Sequence, residues 1–355
     1  MTAEPQDLFS QQEANRGRSR LLVVTFVVFF LWLGLGGDWL AYMYTRGLPP
    51  GAYHHSFPVL GALMAVIAAG LVAYIRKTGA SKVLWSTGAV EVTDPQTPGE
   101  KMLANVVDEM SIAAGVPRPR LWVVNDPDPN AFATGTDPLH SHIAVTTGLL
   151  NIVTRDELQA VVGHEMGHVK NLDTQMMTMV AGLVGAVALM SDGVGRILRF
   201  QMLGGQSGGG GRVSGGSSGS GRGRSNNLGP LVAVVLVLWI VSWIMAPIVT
   251  RLMAVGISRN REYLADAMSA QFTRNPLALA SALEKIEDQS APTTTIKGGA
   301  AHLCIADPLG RAVNLKEGFV ANLLATHPPM PLRIARLKAM GYQQQKAAGT
   351  FHVQD

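Results

Sequence analysis

A chain of 355 residues that is 47% hydrophobic and only 15% charged is not built as a purely soluble protein, so part of it belongs in a bilayer. The net charge is only +4, and the basic residues sit beside apolar runs. That pattern fits orientation in a membrane and argues against nucleic acid as a partner. The single cysteine, Cys304, excludes an internal disulfide framework and a cysteine-based zinc site, and reads as a small buried apolar residue. Any metal must then be held by histidines and carboxylates.

Residues 1–20 form a polar tail ending in Arg16, Arg18 and Arg20, after which Leu21–Tyr44 is apolar with Asp38 as its only charge. A second apolar run, Phe57–Ile75, follows a short loop, and both runs can span a bilayer. A cleavable signal peptide is the rival reading of the first, but no A-x-A site follows it. Residues 21–78 are therefore read as two transmembrane helices. Arginines before the first run, and Arg76, Lys77 and Lys82 after the second, contrast with Arg46 alone between them. The positive-inside rule puts the tail and the body in the cytoplasm, on one side of the cell (inner) membrane. His54 and His55, in the outer loop, read as surface residues.

The composition turns globular from about Gly79, and residues 79–173 are read as the first part of a soluble domain. A β-rich stretch Lys82–Thr93 leads through a turn at Asp94-Pro95 to a helix over Lys101–Ala114, closed by Gly115. Leu121–Val124 and His142–Thr146 read as strands. Between them Asn130–Gly135 is a run of small residues flanked by prolines, either an edge strand able to pair with an extended peptide or one arm of an ordinary hairpin. His140 and His142 read as structural.

Thr154, with Glu157 three residues on, predicts a capped helix start, and Val161–Val169 then reads V-V-G-H-E-M-G-H-V. Residues four apart share a helix face, so His164 and His168 can offer two imidazole nitrogens to one metal ion. Glu165 lies a quarter-turn round the helix, in reach of a reacting water without being a ligand, as a general base requires. Asn171 and Asp173 follow closely enough that either could orient a ligand imidazole.

Residues 174–250 hold two further apolar runs. Thr174–Met190 is short and Met- and Gly-rich, either a membrane helix or a buried core helix, whereas Leu228–Thr250 has the length of a span and no charge. Between them Leu203–Ser225 is Gly/Ser-rich linker sequence. Four spans would place the loop Ser191–Gly229 outside, yet it carries Arg196, Arg199, Arg212, Arg222 and Arg224 against Asp192 alone. The charge rule opposes that placement; four spans are kept because the first spans usually set orientation.

Residues 251–355 are read as the second part of the soluble domain. A catalytic zinc takes three protein ligands and leaves one position open, and two His with one Glu is a recognised set. In Ser258–Asp266 the best third ligand is Glu262, with Asp266 one turn further on the same face, where it can fix the tautomer of a ligand His. His327 stands at the mouth of a helix beginning near Pro331, as a capping or surface residue or as part of the site. His302 and His352 read as structural or exposed.

Taken together, H-E-M-G-H, the distant E-Y-L-A-D, apolar runs placed two before and two between them, and a late T-H-P-P-x-x-x-R-I resemble the HtpX-type membrane zinc metalloproteases, gluzincins related to the CAAX prenyl proteases. The resemblance runs from the first apolar run to Leu337, although the Gly/Ser/Arg linker is longer than the family's loop. It implies a multi-pass α-helical membrane protein with an α+β zincin-like metalloprotease domain, and one Zn2+ bound by His164, His168 and Glu262. Glu165 is implied to be catalytic, and Asn130, Ala131, Phe132, Ala133 and Thr134 to form the substrate-side edge. His327 corresponds to a transition-state stabiliser, with Arg333 supporting it. The implied activity is endopeptidase cleavage of membrane or misfolded proteins in quality control and stress response. Two alternatives are a CAAX-type prenyl protease and a catalytically silent scaffold or stress sensor with structural zinc. Neither substrate identity nor oligomeric state follows from the sequence.

Overall fold

The computed structural model describes residues 8–45, 57–183, 260–289, 293, 295, 296, 303–306 and 328–347. The linker, the fourth apolar run and His54, His55, His302, His327 and His352 lie outside the described residues. The chain divides into two compact units. One comprises Met1–Thr25, Gly70–Leu183 and Arg251–Asp355, the other Phe26–Ala69 and Val184–Thr250.

Two apolar helices open the chain, α1 (Leu8–Thr45) and α2 (Val59–Ser86), and among the described residues these two are long and apolar enough to cross a membrane. At 38 residues α1 is about 57 Å long, far more than the ~30 Å of a hydrocarbon core, so its polar first turns reach beyond it. Within the second unit the helices meet through small residues: a Cβ on Gly34 would lie 2.6 Å from the Leu60 carbonyl oxygen, an approach that only glycine permits. Asp38, the one charge in the first run, accepts hydrogen bonds from the Leu60 and Gly61 amides at 2.9 and 2.7 Å and so caps the start of α2. Within the same unit Val28, Leu63 and Val66 remain exposed, apolar side chains suited to lipid.

The expected strand over Lys82–Thr93 is a correction. Lys82–Ser86 continue α2, with Val83 and Leu84 buried, and the chain leaves the helix at Gly88, whose φ of 66° suits glycine. Only Val90–Glu91 is strand, β1. The helix α3 (Pro98–Ala114) starts on a Thr97–Glu100 capping box and ends on left-handed Gly115.

Strands β2 (Arg120–Val124), β3 (Ala131–Gly135) and β4 (Ser141–Thr146) complete a four-stranded sheet of order β1-β2-β4-β3. β4 pairs parallel to β2 and antiparallel to β3, placing Phe132 opposite Ala144. After the short α4 (Thr147–Ile152) comes α5 (Arg155–Lys170), the helix with H-E-x-x-H. It is buried nearly all round, its apolar residues Leu158, Val161, Val162, Met166 and Val169 packing with Leu103, Val107, Leu279, Leu283 and Leu337 in one core. Residues 173–183 are helical and buried through Met176, Met177, Met179 and Val180, so the start of the third apolar run packs inside the unit that holds α5. Among the described residues three helices follow: α6 (Asn260–Thr273), α7 (Pro276–Asp288) and α8 (Met330–Ala347).

Candidate active site

The start of α5 is fixed locally: the Thr154 side chain accepts from the Glu157 amide, and Glu157 returns a bond to the Thr154 amide at 2.7 Å. About three turns beyond Glu157, the glycine of H-E-M-G-H lets α6 come close. A Cβ on Gly167 would lie 3.2 Å from the Ala265 Cα, tighter than ordinary packing, and Ser269 Oγ bonds the Ala160 carbonyl at 2.6 Å. This close crossing brings Glu262 over the histidine face of α5.

The Nε2 atoms of His164 and His168 stand 3.2 Å apart. Glu262 Oε2 lies 3.6 Å from His164 Nε2 and its Oε1 lies 3.6 Å from His168 Nε2, and one ligand atom from each of the three residues falls within 4.8 Å of the others. Each imidazole is backed by a carboxylate: Asp266 lies 2.9 Å from His164 Nδ1, and Asp173 lies 3.1 Å from His168 Nδ1. Facing a carboxylate, each Nδ1 carries the proton, which leaves both Nε2 lone pairs pointing at one spot beside a carboxylate oxygen. Three acceptors converging in a buried space suit a cation, and these residues could hold a tetrahedral metal with one position open.

The carboxylates around the site favour a positive charge there, which a proton on His164 supplies when no metal ion is bound. Burial disfavours the imidazolium of His164, yet the carboxylates of Asp266 and Glu262 outweigh it and raise the pKa to about 9. Asp266 is itself buried, which opposes ionisation, but Arg333 and His164 hold its pKa below the usual range. Arg333 is fully buried and clasps Asp266 through Nε at 2.9 Å and Nη2 at 2.6 Å. Its Nη1 donates to the Ile305 carbonyl at 2.9 Å and lies 3.6 Å from Glu262. Glu165 is buried beside the histidines, and among the described residues neither carboxylate oxygen has a hydrogen-bond partner. Burial raises its pKa, which the two histidines only partly offset.

β3 is the last strand of its sheet, but its outer edge is not bare. Phe132 bridges to Cys304 in antiparallel fashion, and the Ile305 amide donates to the Ala131 carbonyl at 2.9 Å. The Asn130 side chain takes both backbone groups of Ala306, donating to its carbonyl at 2.8 Å and accepting from its amide at 3.4 Å. Further along, the Gly135 amide and the Thr134 hydroxyl bond Thr178 Oγ1 at 3.1 and 2.8 Å. Of the expected edge residues, Ala131 and Ala133 face the core shared with α5, and Phe132 faces the opposite one with Cys304.

The structure thus brings His164, Glu165, His168, Glu262, Asp266, Arg333 and the edge Asn130–Thr134 together in one unit. Of Asn171 and Asp173, Asp173 is the one that meets the imidazole of His168. Leu172, in the left-handed region at φ 61°, turns the chain so that Asp173 comes back onto His168. Asn15, on the first turns of α1, donates to Asp173 at 2.8 Å and escaped the sequence reading, because no local pattern links positions 158 apart.

The family model for Peptidase family M48 matches residues 99–341. The Protease HtpX homolog of Caldanaerobacter subterraneus subsp. tengcongensis is 36% identical over 334 residues, 94% of this chain and 98% of its own length. That of Tropheryma whipplei (strain Twist) is 42% identical over 75% of this chain and 80% of its own, and that of Lactobacillus helveticus 35% identical over 94% and 100%. The crystal structure of S. mikatae Ste24p aligns with a TM-score of 0.43 and 16% identity over 93% of this chain and 67% of that one, too loosely to add to the assignment. With the family model spanning more than half of the chain and relatives above 30% identity covering nearly all of it, the protein belongs to peptidase family M48 and is a membrane metalloprotease.

Proposed function

We propose that this protease is a zinc endopeptidase in which His164, His168 and Glu262 hold one Zn2+ and Glu165 is the general base. The observation that carries the reading is the convergence of two imidazole nitrogens and a carboxylate on one buried point, beside a carboxylate with no hydrogen-bond partner among the described residues. Bound there, zinc supplies Lewis-acid polarisation of a scissile carbonyl and activation of water. Glu165 accepts the proton of the attacking water and delivers it to the departing amine, and its burial suits it to both steps by raising its proton affinity. Asp266 and Asp173 hold the two imidazoles in the Nδ1–H tautomer, and Arg333 holds Asp266. His327 is assigned to stabilising the oxyanion from the resemblance of its motif.

An extended substrate pairs along the outer edge of β3 beside Glu165, and pairing along Ala131 requires Leu303–Ala306 to yield. Four spans with the protease body in the cytoplasm, and membrane or misfolded proteins as substrates in quality control and stress response, complete the proposal. The full chain in detergent is expected to contain one zinc per chain by elemental analysis and to degrade casein until a chelator is added. Glu262→Ala is expected to lose the zinc, and unchanged stoichiometry in that variant would remove Glu262 from the ligand set.

A further inference from the structure

Helix α5 ends at Lys170, and its last carbonyls need donors from elsewhere. Part of that need is met from the other end of the chain, by the first turns of α1. Gln12 Nε2 donates to the Lys170 carbonyl at 2.8 Å, and Asn15 Nδ2 donates to the Asn171 carbonyl at 3.0 Å. The same amide nitrogen donates to Asp173 Oδ1 at 2.8 Å, so both of its hydrogens are used. Asp173 gives its other oxygen, Oδ2, to His168 Nδ1 at 3.1 Å. Asn15 and Asp173 are 4% and 1% exposed, so little water competes for these bonds. Arg261 also faces Asp173 Oδ1, but at 3.5 Å, which leaves Asn15 as the close donor.

We infer that Asn15 is a positioning residue of the metal site: by fixing the Asp173 carboxylate, it sets the tautomer and ring orientation of His168. The inference rests on the reading of His168 as a zinc ligand. Rotation of Asp173 about its own side chain would move the acceptor that His168 Nδ1 requires, and the Asn15 amide removes that freedom by holding the distal oxygen. The first helix of the chain, which is apolar enough beyond this point to enter a membrane, thereby contributes to the metal site through its polar extension. A metal centre assembled this way is complete only when α1 is docked, so binding of the metal reports on correct packing of the N-terminal helix.

The test measures zinc dissociation constants of the full chain in detergent micelles, by competition with a chromophoric chelator, for wild type, Asn15→Ala, Gln12→Ala, Asp173→Ala and the Asn15→Ala/Asp173→Ala double variant. Loss of a partner that orients a metal ligand weakens binding by about 10- to 100-fold. Asp173→Ala is expected in that range and Asn15→Ala at its lower end, about tenfold. Gln12→Ala removes a bond between the same two helices that does not touch Asp173, and is expected to leave zinc affinity unchanged. In the Asp173→Ala background, Asn15→Ala is expected to add nothing. Three results would each overturn the inference: unchanged affinity in Asn15→Ala, an equal loss in Gln12→Ala, or a full additional loss on top of Asp173→Ala. A wild-type chain that binds no zinc overturns the zinc reading itself, whereas wild-type binding with an unaffected Asn15→Ala overturns only the role of Asn15. Far-ultraviolet circular dichroism of each zinc-free variant separates a local loss from unfolding, and Asn15→Ala is expected to match wild type.

Discussion

Two glutamates of the same helix, Glu157 and Glu165, are both buried, and their surroundings are opposite. Glu157 has every oxygen engaged: Oε1 accepts from Ser281 at 2.6 Å, and Oε2 from the Thr154 amide and from Lys285, each at 2.7 Å. Glu165, eight residues on, has two oxygens with no hydrogen-bond partner among the described residues. Burial works against ionisation in both. Lys285, Ser281 and Thr154 more than offset it at Glu157, whose pKa falls, whereas nothing at Glu165 does, and its pKa rises. An unsatisfied buried carboxylate costs stability, on the order of 1–3 kcal/mol or more. A fold that satisfies Glu157 so fully and leaves Glu165 without a close donor among the described residues fits the general-base role proposed for the second.

The largest break in this contrast is expected from Glu165→Gln. Proteolysis should fall by about 10²- to 10⁴-fold, the usual contribution of a positioned acid–base group, while zinc content is retained. The same substitution removes an unpaired buried charge, so the thermal midpoint should hold or rise. A variant that cleaves casein at the wild-type rate would show that Glu165 is not the base, and a sharp fall in midpoint would show that its role is structural.

Next in size is Arg333→Ala. Asp266 would keep its place behind His164 without the guanidinium that neutralises it, and the Ile305 carbonyl would lose its donor. Removing one partner of a buried ion pair typically costs about 3–5 kcal/mol. Here the loss should appear both in the unfolding midpoint and as weakened zinc retention. Arg333 thus belongs with Glu157: buried, charged and fully engaged. A variant of unchanged stability would place it with Glu165 instead.

This division also tracks what could be read from the residues alone. Thr154 and Glu157 are three apart, His164 and His168 four, Glu262 and Asp266 four, so helix periodicity is enough to align them. The strands about Leu121–Val124 and His142–Thr146 and the left-handed cap at Gly115 are equally local. Longer-range pairings leave no such trace. Arg333 meets Asp266 across 67 positions, Asn15 meets Asp173 across 158, and Leu303–Ala306 lie on an edge strand far upstream. Lys82–Ser86 misled for another reason: Val83 and Trp85 suit a strand, but an apolar helix already under way from Val59 continues at less cost than a new element can nucleate.

The smallest effect separates the two glutamates by pH. Because the folded-state pKa of Glu157 lies below the 4.5 of a free carboxyl group, the folded state binds its proton less readily than the unfolded chain does. Stability from this group is therefore fully present above that value and is lost as pH falls through the depressed folded value. Glu157→Gln keeps the shape but removes the charge that Lys285 and Ser281 address, and should cost about 1–2 kcal/mol near neutrality. The acid-side loss of thermal midpoint, recorded in detergent between about pH 7 and about pH 3, should be shallower in the variant than in wild type. At acid pH the two should converge, since a protonated Glu157 and a glutamine are both neutral. Casein hydrolysis at neutral pH, below the variant's melting range, should be unaffected, because Glu157 supports the start of α5 and touches none of the groups around His164. A midpoint profile identical to wild type, or a loss of activity while the helix remains folded, would erase the distinction between the two carboxylates.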